Sequence, residues 1–186
     1  MSAPGMSGLR VSICLSRRTN EKRLHGSIRQ LPQSLSIRCP SVVVAAHVFR
    51  SMIKIVSVHA SGQGLHEFTD QLASVVREAG VQQGLCTLFI QHTSASLVIQ
   101  ENADPAVRQD LEHWLNRLVK EDDPHYTHTV EGPDDMPAHI KSVLTSTSVS
   151  IPILNGCLAL GTWQGIYLWE HRYHRGNRQV IIHIGA

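Results

Sequence analysis

Residues 125–141 read HYTHTVEGPDDMPAHIK and combine side chains that bind metals with residues that shape loops. They include three histidines, three carboxylates, one glycine and two prolines. This polarity excludes a core strand, and Pro133 and Pro137 exclude one long helix. The pattern predicts a loop that leads into a helix, with Asp134 or Asp135 as N-cap and Pro137 in the first turn. For Asp135 we expect the capping role.

Three histidines of the chain form a candidate metal site. His128 lies in the predicted loop and His139 at the start of the predicted helix, while His92 ends an apolar run and precedes Thr-Ser-Ala-Ser. Three neutral imidazoles with one open position make a catalytic zinc site. The HExxH spacing is absent, and hydrogen-bonded structural histidines are the alternative. Glu131 is a fourth ligand, a partner that orients a histidine, or a turn residue. We expect His125 to be exposed.

Glu170 is a carboxylate inside the apolar segment IYLWEHR. It shares the phase of Ile166 and Leu168, so if that face is the core, Glu170 is buried and needs a cation, with Arg172 as the candidate. If the alternate residues face inward instead, Glu170 is an ordinary surface residue. Arg178 follows in the next turn, where phosphate binding and a solvated turn are both open.

The remaining sequence supplies elements that could position these groups. Apolar spacings of three and four predict helices over 65–79 and from Pro105 to about Lys120, the second capped by Asp104 and with Trp114 and Leu118 on its apolar face. A third helix of about ten residues follows Asp135. Short apolar runs predict strands, and Asn155-Gly156 predicts a hairpin within a C-terminal antiparallel meander. The expected fold class is α+β: an antiparallel sheet with two to three helices packed on it.

Charge divides the chain into two parts. Residues 1–51 contain eight Lys or Arg and one acid, whereas residues 52–186 contain nine Lys or Arg and fourteen acids. We predict a basic, disordered extension over 1–51, either a transit peptide or the product of an upstream start codon, and a folded domain over 52–186. The acidic domain does not favour nucleic-acid binding. No apolar run is long enough to span a membrane, so we expect a soluble cytoplasmic protein, or an organellar one if the extension is a targeting signal.

Several motifs together resemble one known family, the YjbQ-like proteins. The matching segments are QHTSASL (91–97), ENADP (101–105), HTVEGPDDMPAHIK (128–141), SVSIPILNGCLALGTWQGI (148–166) and WEHR (169–172). The similarity covers the chain from about residue 52 to its end.

The resemblance implies a YjbQ-like homotrimer with a divalent metal, zinc, near the subunit interface. It implies His92, His128 and His139 as metal ligands and Glu131, Glu170 and Arg172 as catalytic residues. Around them it places Asn102, Asp104, Trp163 and Gln164 as substrate-binding residues.

Three functions are compatible with this reading. The first is a metal-assisted enzyme with weak, secondary thiamine-phosphate synthase activity, which couples a pyrimidine-methyl diphosphate to a thiazole phosphate. The second is a metal-dependent hydrolase of another small molecule, with Glu131 or Glu170 as general base. The third is a non-enzymatic trimeric module that binds a metal or ligand.

Overall fold

Two antiparallel sheets and three helices form the domain. The structure is a computed structural model that describes residues 51–186. The strands and helices are β1 (Ser51–Ala60), β2 (Gly64–Glu67), α1 (Thr69–Ala79), β3 (Gln83–Ile90), β4 (Ala95–Glu101), α2 (Pro105–Leu118), α3 (Asp135–Leu144), β5 (Ser148–Leu154), β6 (Cys157–Leu158), β7 (Gln164–Glu170) and β8 (Gly176–Gly185). The α+β prediction is confirmed. The predicted extension, apart from Ser51 in β1, lies outside the described residues.

The strands do not form the predicted meander. One sheet has the order β1-β8-β3-β5-β6 and the other the order β2-β7-β4. Of the last four strands, only β5 and β6 pair with each other, through the hairpin whose Asn155 and Gly156 have φ of 51° and 76°. Positive φ at both residues is what a tight hairpin requires. The next two strands, β7 and β8, lie in different sheets, so the meander prediction was wrong beyond β6.

The first helix is shorter than predicted. Residues 65–67 belong to β2, where Leu65 faces Trp169 of β7, and α1 begins only at Thr69. The spacing of Leu65 from the apolar residues of α1 therefore does not mean that Leu65 belongs to the helix. Pairing with a distant strand outweighs local periodicity here. The predicted stop is confirmed, because Gly80 caps α1 with a left-handed φ of 65°.

The central strand β7 is buried on both faces. Ile166 and Leu168 pack into the main core between the two sheets and α1, while Trp169 packs against Leu115 of α2 in a second cluster. Alternate residues of β7 therefore enter two different cores. The prediction that Glu170 is buried and needs a cation is confirmed, and the alternative of an ordinary surface residue was wrong. The second cluster uses a narrower face of α2 than predicted: Trp114 and Leu118 are 54% and 57% exposed.

Candidate functional site

The histidine-rich segment folds as a loop that ends in α3, and it brings His128, Asp135 and His139 together. One ligand atom from each of these residues lies within 4.8 Å of the others. His128 Nε2 is 2.7 Å and His139 Nε2 is 3.3 Å from the same oxygen, Oδ2 of Asp135. His139 and Asp135 are neighbours on one helix face, four residues apart. We call these three residues the triad.

The triad fits a divalent cation. The Nδ1–H of His139 donates to the carbonyl oxygen of Thr93 at 3.1 Å, which leaves Nε2 with a lone pair when the ring is neutral. That lone pair faces a carboxylate oxygen at 3.3 Å, and two acceptors in this arrangement require a proton or a cation between them. Two imidazoles and one carboxylate with open positions are a ligand set for zinc and other transition metals.

The Asp135 carboxylate contacts the two histidines of the triad and does not cap the helix. Asp134 occupies the N-cap position of α3, and its side chain makes no capping hydrogen bond. The Asp135 side chain is buried, and its Oδ1 accepts from Nη1 of Arg172 at 2.5 Å. The capping prediction for Asp135 was therefore wrong: the charged groups around the carboxylate attract it more strongly than the helix N–H groups do. A carboxylate held by a second partner is typical of metal ligands.

Arg172 is bound by the loop and by the start of α3. Its Nε and Nη2 donate to Asp134 at 3.3 and 3.1 Å, and Nη2 also donates to the carbonyl oxygen of Glu131 at 2.6 Å. Burial alone would raise the pKa of Asp134, but hydrogen bonds from Arg172 and from the backbone N–H of Tyr173 hold that pKa below its usual value. Arg172 thus fixes the acidic loop to the end of β7. Its side chain is not the predicted ion-pair partner of Glu170.

The partner of Glu170 is Arg178. Glu170 has no exposed surface, its Oε2 accepts from Nε of Arg178 at 2.5 Å, and its Oε1 accepts from the backbone N–H of Arg172 at 3.0 Å. The sequence places Arg178 in a turn, with phosphate binding and solvation both open, but the structure places it buried within β8. The alternation of β8 could have predicted this burial. Arg178 lies two residues before Val180, so both side chains face the core.

His92 joins this ion pair and not the triad. Val180 pairs with Ile90 in the antiparallel register, and two residues further on His92 meets Arg178, with 2.7 Å between Nε2 and Nη1. A guanidinium can only donate, so Nε2 must accept and the ring proton lies on Nδ1, 3.1 Å from Ser94 Oγ. The backbone nitrogen of Ser94, also 3.1 Å from Nδ1, would need the opposite tautomer, and the shorter charge-assisted contact decides. Burial, and then Arg178, lowers the pKa of His92.

The predicted substrate-binding residues lie at the other end of β7. Gln164 begins the strand that Glu170 ends, so the two groups are separated by about 20 Å of extended chain. Asp104 Oδ1 caps α2 by accepting from the N–H of Ala106 at 2.8 Å. Gln164 Oε1 accepts from the N–H of Gly161, the backbone of Asn102 binds that of Trp163, and the Trp163 side chain is exposed. Their role in substrate binding stays a prediction.

A cleft of about 450 Å³ opens at Arg172, the residue that binds Asp135 of the triad. Its lining residues are His92, Glu131, Asp134, Arg172, His174 and Arg178. The side chain of Glu131 is 62% exposed and can reach a ligand there, whereas buried Glu170 can act on one only through Arg178. His125, as expected, is exposed. Among the described residues, no helix has the length and apolar character needed to cross a membrane.

A buried polar cluster that the sequence did not reveal lies where α2 and α3 approach the segment after β7. The Lys141 side chain is buried in α3 and donates to Asn116 of α2, and His171 is buried with its Nε2 2.9 Å from Ser96 Oγ. Burial, and then the charge of Lys141, lowers the pKa of His171 to about 3. His171 is therefore neutral in the folded protein at physiological pH.

Comparison with known proteins gives one consistent result. Residues 54–186 match the profile of the family described as UPF0047 protein YjbQ-like. A UPF0047 protein of Synechocystis sp. is 52% identical over 145 residues, covering 78% of this chain and 99% of its own. YjbQ of Escherichia coli O157:H7 is 45% identical over 129 residues, covering 69% of this chain and 93% of its own.

Solved structures agree with the fold. An uncharacterised yjbq/upf0047 family protein of Clostridium acetobutylicum has a TM-score of 0.65 at 37% identity, covering 70% of this chain and 98% of its own. A YbjQ-like protein of unknown function from Sulfolobus solfataricus has a TM-score of 0.69 at 22% identity, covering 75% and 99%, and shows likeness of fold alone. The chain belongs to the YjbQ-like UPF0047 family.

Proposed function

We propose that this chain is a divalent-metal-dependent enzyme, with zinc as the metal, that acts on a small phosphorylated or heterocyclic substrate. The observation that carries the proposal is the triad: two imidazoles and a carboxylate converge on one point, and Arg172 links its carboxylate to an open cleft. Asp135 is oriented by Arg172, and His139 by the carbonyl of Thr93. Such support around the ligands favours a metal site over a chance cluster of polar side chains.

The named candidate reaction is thiamine-phosphate synthesis, as a weak secondary activity. This coupling expels pyrophosphate, and the bound metal would supply charge to neutralise the leaving group. Arg172 already donates to four acceptors around Asp134, Asp135 and Glu131, so it has little left to offer a diphosphate. Limited phosphate binding by the chain's own residues is consistent with a weak activity.

Hydrolysis is a second candidate, favoured by the position of Glu131. Its carboxylate is exposed at the cleft, with Oε2 3.8 Å from Nη1 of Arg172. An exposed carboxylate beside a metal site can accept a proton from an attacking water. Replacing Glu131 with Gln would then lower the rate of hydrolysis while zinc binding persists, and loss of zinc with the rate would contradict a base role.

Zinc titration of the purified protein tests the metal site. We expect about one zinc ion per chain, and at least about 10-fold weaker zinc binding after His139→Ala, together with loss of any coupling activity measured as pyrophosphate release. His125→Ala is the matched control: it changes an exposed histidine of the same segment and should leave both properties unchanged. Zinc binding by His139→Ala that equals the wild type would overturn the triad.

We further propose that the enzyme is a homotrimer. Large apolar side chains remain exposed on the outer face of the five-stranded sheet, including Ile53 at 71%, Ile55 and Phe89. An apolar sheet face of this kind is typical of a protein–protein interface. The exposed face supports association, and the number of three subunits is what the resemblance to the family implies. Sedimentation equilibrium should then give about three times the chain mass of 20.6 kDa. A chain that sediments as a monomer at micromolar concentration would exclude the trimer.

A further inference from the structure

The two arginines that line the cleft differ in how many of their nitrogens are free to donate a hydrogen bond to a ligand. All three nitrogens of Arg172 are hydrogen-bonded to the loop or to α3. Arg178 uses Nε for Glu170 and Nη1 for His92, and within residues 51–186 its Nη2 has no hydrogen-bond acceptor. Since no buried side-chain nitrogen or oxygen of this part of the chain lacks a partner, Nη2 is open to the cleft.

The Arg178 guanidinium is held in place before any ligand arrives. Its side chain is only 10% exposed, Glu170 fixes one edge, and the lone pair of His92 Nε2 fixes a second position. Glu170 ends β7, Arg178 lies near the start of β8, and His92 follows the end of β3 by two residues. A planar donor that has already lost its rotamer freedom binds an oxyanion at a lower entropic cost than a free surface arginine does.

His174 completes the donor-rich wall. It lines the same cleft on the exposed turn before β8, and its ring crosses Gly176, where a Cβ would come within 2.6 Å of His174 Nε2. Glycine at residue 176 leaves room for the ring in this position. Neutral imidazole still offers one N–H to a ligand.

We infer that Arg178 and His174 form an oxyanion subsite that binds the phosphoryl group of the substrate, with His92 as the positioning residue for Arg178. The inference rests on the proposed function, because it names the part of a phosphorylated substrate that this side of the cleft would hold. A phosphoryl oxygen supplies the acceptor that Nη2 of Arg178 lacks. Two nearby acids are engaged, Asp134 by Arg172 and Tyr173, and Glu170 by Arg178. The third, Glu131, is exposed at the cleft with Oε2 3.8 Å from Nη1 of Arg172, on the Arg172 side of the lining.

Inorganic phosphate is the probe for this subsite. Titration into the metal-free full-length protein, followed by isothermal calorimetry or phosphorus NMR, should show binding that strengthens when zinc is present. Arg178→Gln alone would leave Glu170 buried without its cation, so the variant is Glu170→Gln with Arg178→Gln, which neutralises both partners at similar volume. We expect its phosphate affinity to fall at least 10-fold, while zinc affinity stays within 2-fold of wild type.

Two single variants decide the matter if the double variant does not fold. His174→Ala changes an exposed residue and should weaken phosphate binding about 3-fold or more, whereas Arg175→Gln, an exposed arginine of the same turn that does not line the cleft, should have no effect. Equal effects of these two variants, or no phosphate binding by the wild type with and without zinc, would overturn the subsite. Phosphate binding that depends on His174 in a protein that fails to bind zinc would keep the subsite and reject the proposed metal centre.

Discussion

Glu170→Ala is expected to lower the free energy of unfolding by about 3–5 kcal/mol, the usual cost of removing one partner from a buried ion pair. The substitution leaves the nearly buried guanidinium of Arg178 with only the neutral ring of His92 beside it. For a domain of this size each kcal/mol corresponds to about 2–4 °C in Tm, so a clear shift should appear in thermal melts.

The control for this prediction is an ion pair at the surface. Glu78 bonds to Lys54, and their side chains are 58% and 40% exposed. Glu78→Ala should change the free energy of unfolding by less than about 1 kcal/mol, because water solvates the remaining charge. Replacing Glu170 and Arg178 together with Leu and Met should recover most of the loss. A Glu170→Ala protein as stable as Glu78→Ala would show that the charge of Arg178 is not buried.

The buried ring of His171 is expected to make the protein lose stability in mild acid. Its pKa is about 3 in the folded chain, against about 6.5 for an unfolded histidine. Above pH 6.5 the ring is neutral in both states and contributes no pH dependence. Between pH 6.5 and 3 the unfolded chain binds one more proton, so the free energy of unfolding falls by about 1.4 kcal/mol for each pH unit of acidification.

Denaturant titrations at pH 7 and pH 5 measure this contribution. Wild type should lose about 2 kcal/mol more than His171→Gln over that interval, because glutamine has no proton to gain. The groups around the ring are Ser96 of β4, Trp169 of β7 and Lys141 of α3, and Lys141 opposes its protonation further. His113→Gln, at an exposed position of α2, should keep the wild-type slope. Identical slopes for wild type and His171→Gln would mean that His171 is protonated in the folded state.

Local sequence signals predicted the elements that local chemistry determines. Asp104 before Pro105 gave the correct start of α2, Gly80 the end of α1, and Asn155-Gly156 the hairpin. Each depends on backbone groups within a few residues of the signal. The same holds for His128 and His139, which approach each other because a single loop and helix connect them.

Long-range pairing decided what the sequence did not reveal. Glu170 is eight residues from Arg178, yet β7 and β8 enter different sheets, and the contact between the two side chains depends on how those sheets are paired. His92 reaches Arg178 through the β3–β8 register, which no local pattern encodes. Asp135 resembled a helix cap because its competing partner, Arg172, is 37 residues away in the chain. Carboxylates go to the strongest donor available in the fold, and that donor is known only once the sheets are paired.

The position of β8 in the five-stranded sheet has a consequence for synthesis of the chain. β8 lies between β1 and β3, and it pairs with both along most of its length. A nascent chain that has released β1, β3 and β5 still lacks the strand that joins the first of them to the others. Since translation proceeds from the N-terminus, the sheet can close only after residues 176–185 have left the ribosome. Until then the backbone groups of β1 lack their partners in β8. Closure of this sheet is therefore expected to follow the synthesis of residues 176–185, with the first strand exposed to chaperones until then.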